Sequence, residues 1–287
     1  VGYKSGYTDP YALFARNMLI EQMWPIELLG KEYVTAPIKY HNRPRGLSGV
    51  ADDFGDLIRF VATEDNTVIY QMRQDGSGMM QISVSLKRGD YHDITNQEVA
   101  AYYRATKPVL VGHYGKTWWN EPGMMSVVEK KDDDPQNPHL SGQGMLLTVA
   151  PIERWCTYAN FRSPPGIDDF IYLTFREADR EKIYYDGEKI NSLWSTSITE
   201  ITGTPYAYVA TAIQAGDHYI EGKDGARWAA YAYGNWDRTK DGFAYGYPIG
   251  INYADICPDS LYIEDVMDCG NVEGEFFAKD LDPDTVC

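Results

Sequence analysis

Positive charge is what this sequence has too little of. Against 42 Asp and Glu stand 26 Lys and Arg, a formal net charge of −16 at pH 7. A surface of that sign repels phosphate backbones and anionic lipid, so nucleic acid is not an expected partner. Histidine is sparse and scattered, at His41, His92, His113, His139 and His218. Cysteine is limited to Cys156, Cys257, Cys269 and Cys287, with no Cys-x-x-Cys and no histidine at zinc spacing, which argues against a zinc site. No apolar run approaches the ~20 residues that cross a bilayer. The stretch from Ala12 to Leu29 is broken by Arg16, Asn17, Glu21, Gln22 and Glu27. Membrane insertion is therefore not expected. The familiar catalytic signatures are missing too: no Gly-x-Ser-x-Gly elbow, no His-Glu-x-x-His and no glycine-rich phosphate loop. The chain starts at Val1 without a basic-then-apolar leader, so a processed product or an excised piece is expected, with any secretion signal already removed.

Aromatic residues are what it has in quantity: 23 Tyr and 7 Trp, within a hydrophobic fraction of 44%. Such rings suit pleated sheet faces and contact surfaces. The even cysteine count favours two disulfides in an oxidising compartment. Cys257 with Cys269 closes a short loop, and Cys156 with Cys287 ties the tail to the body. Other pairings, or buried thiols, stay open.

The chain also repeats itself. Pro25-Ile26-Glu27 recurs as Pro151-Ile152-Glu153, Asp56 to Phe60 as Asp169 to Leu173, Val68-Ile69-Tyr70 as Lys182-Ile183-Tyr184, and Val111 to Gly115 as Ala230 to Gly234. The order is kept and only the loops change length, which predicts two similar strand-rich units in tandem. Strands are predicted at 79–86, 109–113, 170–175, 182–185, 206–213 and 228–233, with turns at Asp65-Asn66, Asp186-Gly187 and Gln214 to His218. The expected fold is all-β: two tandem β-sandwich-like units packed together, with little helix. Residues 1–24 form an N-terminal arm carrying Tyr3, Tyr7 and Tyr11, with a short amphipathic helix expected over 10–23. Residues 25–115 are the first unit, 116–144 a long insertion, 145–255 the second unit and 256–287 a cysteine-bearing tail.

Candidate chemistry is weighed against plainer roles. His113, in an apolar strand, reads as a hydrogen-bonded core histidine rather than a catalyst. Acid pairs such as Asp52-Asp53 and Asp168-Asp169 are what 42 acids produce by chance, so a glycoside hydrolase, which needs two carboxylates about 5–9 Å apart, is the least favoured reading. Asp132, Asp133 and Asp134 offer oxygens to calcium but lack the glycine and distal Glu of an EF-hand loop. A solvated loop is preferred there, with calcium the one ion considered. Trp118 and Trp119, with Trp236 at the matching end of the second unit, serve either as core and edge plugs or as an exposed platform for sugar or protein.

Leu29 to Pro37, Arg59 to Thr67, Thr106 to Val109, Asp186-Gly187, Ala215-Gly216-Asp217-His218 and Tyr245 to Gly250 together resemble one family. It is the IgGFc-binding-protein N-terminal domain of animal mucus proteins and bacterial surface proteins. The resemblance implies an extracellular or cell-surface, β-rich, non-catalytic domain of adhesion or surface assembly, without cofactor. It carries over no catalytic residue and no immunoglobulin specificity. The expectation is a structural or adhesive protein acting through protein contact, including copies of itself, in a filament or layer. The alternative is a carbohydrate-binding module.

Overall fold

Short apolar runs punctuated by Gly, Asp and Asn favour strands over helices, and the chain folds mostly as antiparallel sheet. The computed structural model describes residues 2–6, 17–38, 55–115, 145–235, 244–252, 260–268 and 271–279. The first strands are β1 (Gly2–Gly6), β2 (Asn17–Glu21), β3 (Gly30–Thr35), β4 (Asp56–Ala62), β5 (Ile69–Met72), β6 (Met79–Gln81), β7 (Tyr91–Gln97) and β8 (Ala101–Gly115). Then come β9 (Met145–Thr148), β10 (Tyr158–Ser163), β11 (Asp168–Arg176), β12 (Ile183–Tyr185), β13 (Glu188–Lys189), β14 (Ile198–Glu200), β15 (Tyr206–Ile213), β16 (Gly216–Gly222), β17 (Trp228–Asn235) and β18 (Ala244–Pro248). Helix is confined, among the described residues, to α1 (Ile190–Trp194) and single 3₁₀ turns.

The sequence repeat reappears as a repeated pairing pattern. β7, β4, β8 and β9 are neighbours in that order, and so are β15, β11, β17 and β18. The matched phrases even share a register: Phe60 faces Val111 as Leu173 faces Ala230. Pro25 and Pro151 each open a 3₁₀ turn closed by a bond to their carbonyl, 3.0 Å from Leu28 N and 2.9 Å from Arg154 N. The halves differ in how the long strand is connected, and β14, which pairs with β15, has no counterpart beside β7 among the described residues. β8 is a single long strand that pairs with β3 and β5 at its start and with β4 and β9 at its end. In the second half those two roles are split between β16 and β17, with a turn at Lys223 to Gly225 between them.

Three sheets stack. A seven-stranded sheet contains β3 to β9, a five-stranded sheet runs β14-β15-β11-β17-β18, and a four-stranded sheet runs β10-β16-β12-β13. The five-stranded sheet is in the middle, and alternation along β11 explains how. Phe170 and Tyr172 enter a core with Tyr33, Ile58, Phe60, Val109, Val111 and Leu147 of the seven-stranded sheet and its flanks. Ile171, Leu173 and Phe175 enter a second core with Phe161, Ile183, Tyr185 and Ile220 of the four-stranded sheet. Successive side chains on a strand point to opposite faces, so a strand covered on both sides needs apolar residues throughout. That is why β11 reads Phe-Ile-Tyr-Leu-Thr-Phe. Cross-strand aromatic pairs fix the first face: Phe170 stacks on Tyr233 at 5.5 Å and Tyr172 on Tyr231 at 4.4 Å. The halves also meet at two turns, where Gly76 and Gly203 both hold positive φ and a Cβ on Gly203 would lie 2.5 Å from Gly76 Cα.

Three expectations are revised. Within 10–23, residues Asn17–Glu21 form strand β2 paired with β1, not a helix; the alternation of buried Leu19, exposed Ile20 and buried Glu21 overrides the helical spacing. The strand expected over 79–86 ends at Gln81, because Ser83 turns inward and its hydroxyl accepts the Ile69 N–H at 2.9 Å. β9, expected to open the second unit, pairs with β8 and closes the first sheet. Residues Val1–Ile251 form one compact unit whose first core draws on both halves, so 116–144 does not divide two separate cores. Asn252–Cys287 is a second compact unit containing the hairpin β19 (Ser260–Asp268) and β20 (Asn271–Lys279).

Glu21 gives β2 a pH response. The residue is 8% exposed, and burial raises its carboxyl to about 7, partly offset by the Gln22 N–H. A folded-state value above the unfolded one favours the protonated form. The resulting stability is complete below the ordinary value of 4.5 and is lost as pH rises through about 7. Urea midpoints of the protein should fall across that window, and Glu21→Gln should flatten the fall. Equal slopes for both proteins would contradict this.

Candidate functional site

The strongest site-like geometry grows from a hairpin turn. Asp186 (φ +50°) and Gly187 (φ +86°) link β12 to β13, with Tyr185 paired to Glu188 across the turn. Two consecutive positive φ values favour Asp-Gly, the tight connection that matches strand twist. The turn frees the Asp186 carboxylate to act on the neighbouring β16. Its Oδ1 accepts the Tyr219 N–H at 2.9 Å, and its Oδ2 meets His218 Nδ1 at 2.7 Å. His218 Nε2 meets the Gln214 carbonyl at 2.8 Å, so both ring nitrogens are engaged by acceptors. The imidazole also stacks on Tyr185 at 5.2 Å and lies 5.2 Å from the Phe161 ring.

Beside this pair opens a cavity of about 320 Å³, bordered by Tyr185, Asp186, Glu188, Trp194, Gln214 and His218. The five-residue helix α1 brings Trp194 within 4.8 Å of the Tyr185 ring at a 54° angle, forming an aromatic corner. Tyr185 is 8% exposed, and its hydroxyl has no hydrogen-bond partner among the described residues. Burial, then Asp186 and Asp169, raise that hydroxyl's pKa above the usual tyrosine value. The site holds aromatic faces, carboxylates and one unused phenol.

A second polar cluster is sealed in the core. His113 Nε2 lies 3.0 Å from Asp56 Oδ2, and His113 Nδ1 lies 3.2 Å from the Tyr172 hydroxyl. Asp56 also accepts the Ile38 N–H at 2.7 Å. A carboxylate only accepts, so one tautomer, with hydrogen on Nε2 and Tyr172 donating to Nδ1, satisfies the chain of bonds. All three side chains are buried, which makes His113 the hydrogen-bonded core histidine expected from its strand.

The residues singled out from sequence fare differently. Trp118, Trp119, Trp236, Tyr7, Tyr11, Asp132, Asp133, Asp134, Cys257, Cys269 and Cys287 lie outside the described residues. Tyr3 sits in β1 opposite Ile20. Cys156 is a free thiol, buried, with Sγ 3.7 Å from the Trp228 carbonyl; burial pushes it up to about 12. Tyr185, Glu188 and Trp194 were not anticipated. The usable signal was the pair of phrases Asp186-Gly187 and Ala215 to His218, which the fold joins through the Asp186–His218 contact. Among the described residues, no group of three His, Cys, Asp or Glu is placed to hold a metal, and no helix is long and apolar enough to cross a membrane.

Comparison with protein families matches residues 5–234 to the IgGFc binding protein family. The chain belongs to that family. No curated protein and no solved structure matches it. Membership points to an extracellular, protein-binding surface protein. The matched span includes the Asp186–His218 pair and most of the three stacked sheets.

Proposed function

We propose that this protein is an extracellular structural or adhesive surface protein that acts by contact and not by turnover, assembling with further copies of itself. The observation that carries the reading is family membership over residues 5–234, the span that builds most of the three-sheet body. Physical features of the chain support it. Among the described residues, each sheet ends in strands with one unpaired side, such as β6 and β7, β14, and β10 and β13. Open strand edges accept further strands, with backbone bonds giving affinity. Exposed tyrosines, Tyr91 and Tyr158 among them, offer rigid contact area at low side-chain entropy cost. The chain works without a cofactor in this reading, and calcium at Asp132 to Asp134 is the one ion it admits.

Negative-stain electron microscopy and light scattering test the assembly. In physiological salt with calcium, rising protein concentration should give filaments or layers. Monodisperse monomers throughout would contradict self-assembly. Hydrolysis of a polysaccharide panel, abolished by one carboxylate substitution, would overturn the non-catalytic reading.

A further inference from the structure

We propose that the cavity between the Asp186-Gly187 turn and Trp194 receives a basic side chain, lysine or arginine, of a partner protein. The inference deepens the contact reading above and rests on it.

No lysine or arginine borders the cavity, while Asp186 and Glu188 both do. Glu188 forms no ion pair with any described residue, whereas the nearby cations Lys182, Lys189 and Lys223 are matched to Asp179, Glu181 and Glu221. Both His218 ring nitrogens are already engaged, by Asp186 and by the Gln214 carbonyl. Asp186 is already bonded by His218 and by the Tyr219 N–H, so Glu188 is the carboxylate left over, and it only accepts hydrogen bonds. An ammonium or guanidinium only donates, so it suits that carboxylate.

Shape agrees with charge. The Tyr185 and Trp194 rings, 4.8 Å apart at 54°, both border the cavity. Aromatic faces attract cations through their quadrupoles, and more strongly where water is partly excluded. The aliphatic stem of lysine or arginine would lie along Leu193 and Ile213, which also border the cavity. The Tyr185 hydroxyl is sealed from solvent without a partner among the described residues, so an occupant meets the ring and not the oxygen. The net charge of −16 steers a basic partner toward the surface.

The site belongs to the second half alone. The repeat aligns Ile69-Tyr70 with Ile183-Tyr184, which places Gln71 and Met72 where Tyr185 and Asp186 stand. The aromatic wall and the carboxylate are both replaced there. Evolution of one copy of a repeat toward a different surface is what a binding site on a shared scaffold requires.

The test uses the full chain and three capped tripeptides, Gly-Arg-Gly, Gly-Lys-Gly and Gly-norleucine-Gly. The indole N–H resonance of Trp194, assigned by its loss in Trp194→Phe, reports occupancy. The arginine and lysine peptides should shift it saturably, with weaker binding at higher salt, and the norleucine peptide should not. Glu188→Gln should weaken the arginine peptide roughly fivefold, the scale of a partly exposed ion pair. Equal shifts from norleucine, an unchanged affinity in Glu188→Gln, or no shift from any basic peptide would overturn the proposal. So would a neutral chito-oligosaccharide moving the same resonance where the basic peptides do not. Any of these results alongside filaments or layers in the assembly experiment would remove the cavity assignment alone and leave the contact reading standing.

Discussion

Replacing Asp56 by alanine is expected to lower stability by about 2–6 kcal/mol, the scale of leaving two buried donors without an acceptor. Asp56 is 1% exposed and lies where β4 begins. Its Oδ2 receives two hydrogens, from the Ile38 amide at 2.7 Å and from His113 Nε2 at 3.0 Å. Alanine would strand both donors in an apolar core. Each buried, unsatisfied group costs about 1–3 kcal/mol. Tyr172 then bonds to a ring that has lost its anchor, so the loss spreads from β4 into the middle sheet. Asp56→Asn keeps a carbonyl oxygen for one of the donors and should cost clearly less. Urea denaturation of the two variants checks the order. An alanine variant as stable as the asparagine one would show that the network is not holding the sheets together.

Much of the fold can be read from the residues. Asp56 to Phe60 and Asp169 to Leu173 pair with Val111 to Gly115 and Ala230 to Gly234 in the same register, so two of the four repeated phrases mark centre strands in both halves. The Asp-Gly turn and the strand Tyr206–Ile213 lie where turn chemistry and alternation put them. The shared core was harder to read, although its signal is present. The repeat places Arg59 where Tyr172 stands. Arg59, a third exposed, bonds Asp93 through two nitrogens at 2.8 and 2.6 Å on an outer face. Tyr172 is fully buried between sheets. Two copies of one motif, charged in one and aromatic in the other, distinguish a solvent face from a covered one. A single sequence cannot say what does the covering, since that depends on contacts between distant strands. The cavity was missed for the same reason. Trp194 belongs to α1, which has no counterpart among the matched phrases, and reaches Tyr185 only through the fold.

The second large effect is expected at the face that joins the halves. Tyr172→Ala removes a fully buried ring that stacks on Tyr231 at 4.4 Å and bonds His113 across the sheet interface. Emptying such a site costs about 3–5 kcal/mol. Tyr172→Phe, which loses only the hydroxyl, should cost about 1 kcal/mol. Because Tyr172 and Asp56 meet through His113, their losses should not add, and the double variant should be less damaged than the sum of the singles.

Hydrogen exchange across the Tyr172→Ala protein tests most directly whether the stacked sheets form one body. If the middle sheet is common to both halves, amides of β4 and β8 in the first half will lose protection together with those of β11 and β17, at the same urea concentration. Loss confined to β10 to β18, residues 158–248, with β4 and β8 as protected as in the parent protein, would mean two sandwiches that merely touch, and the shared core would be refuted.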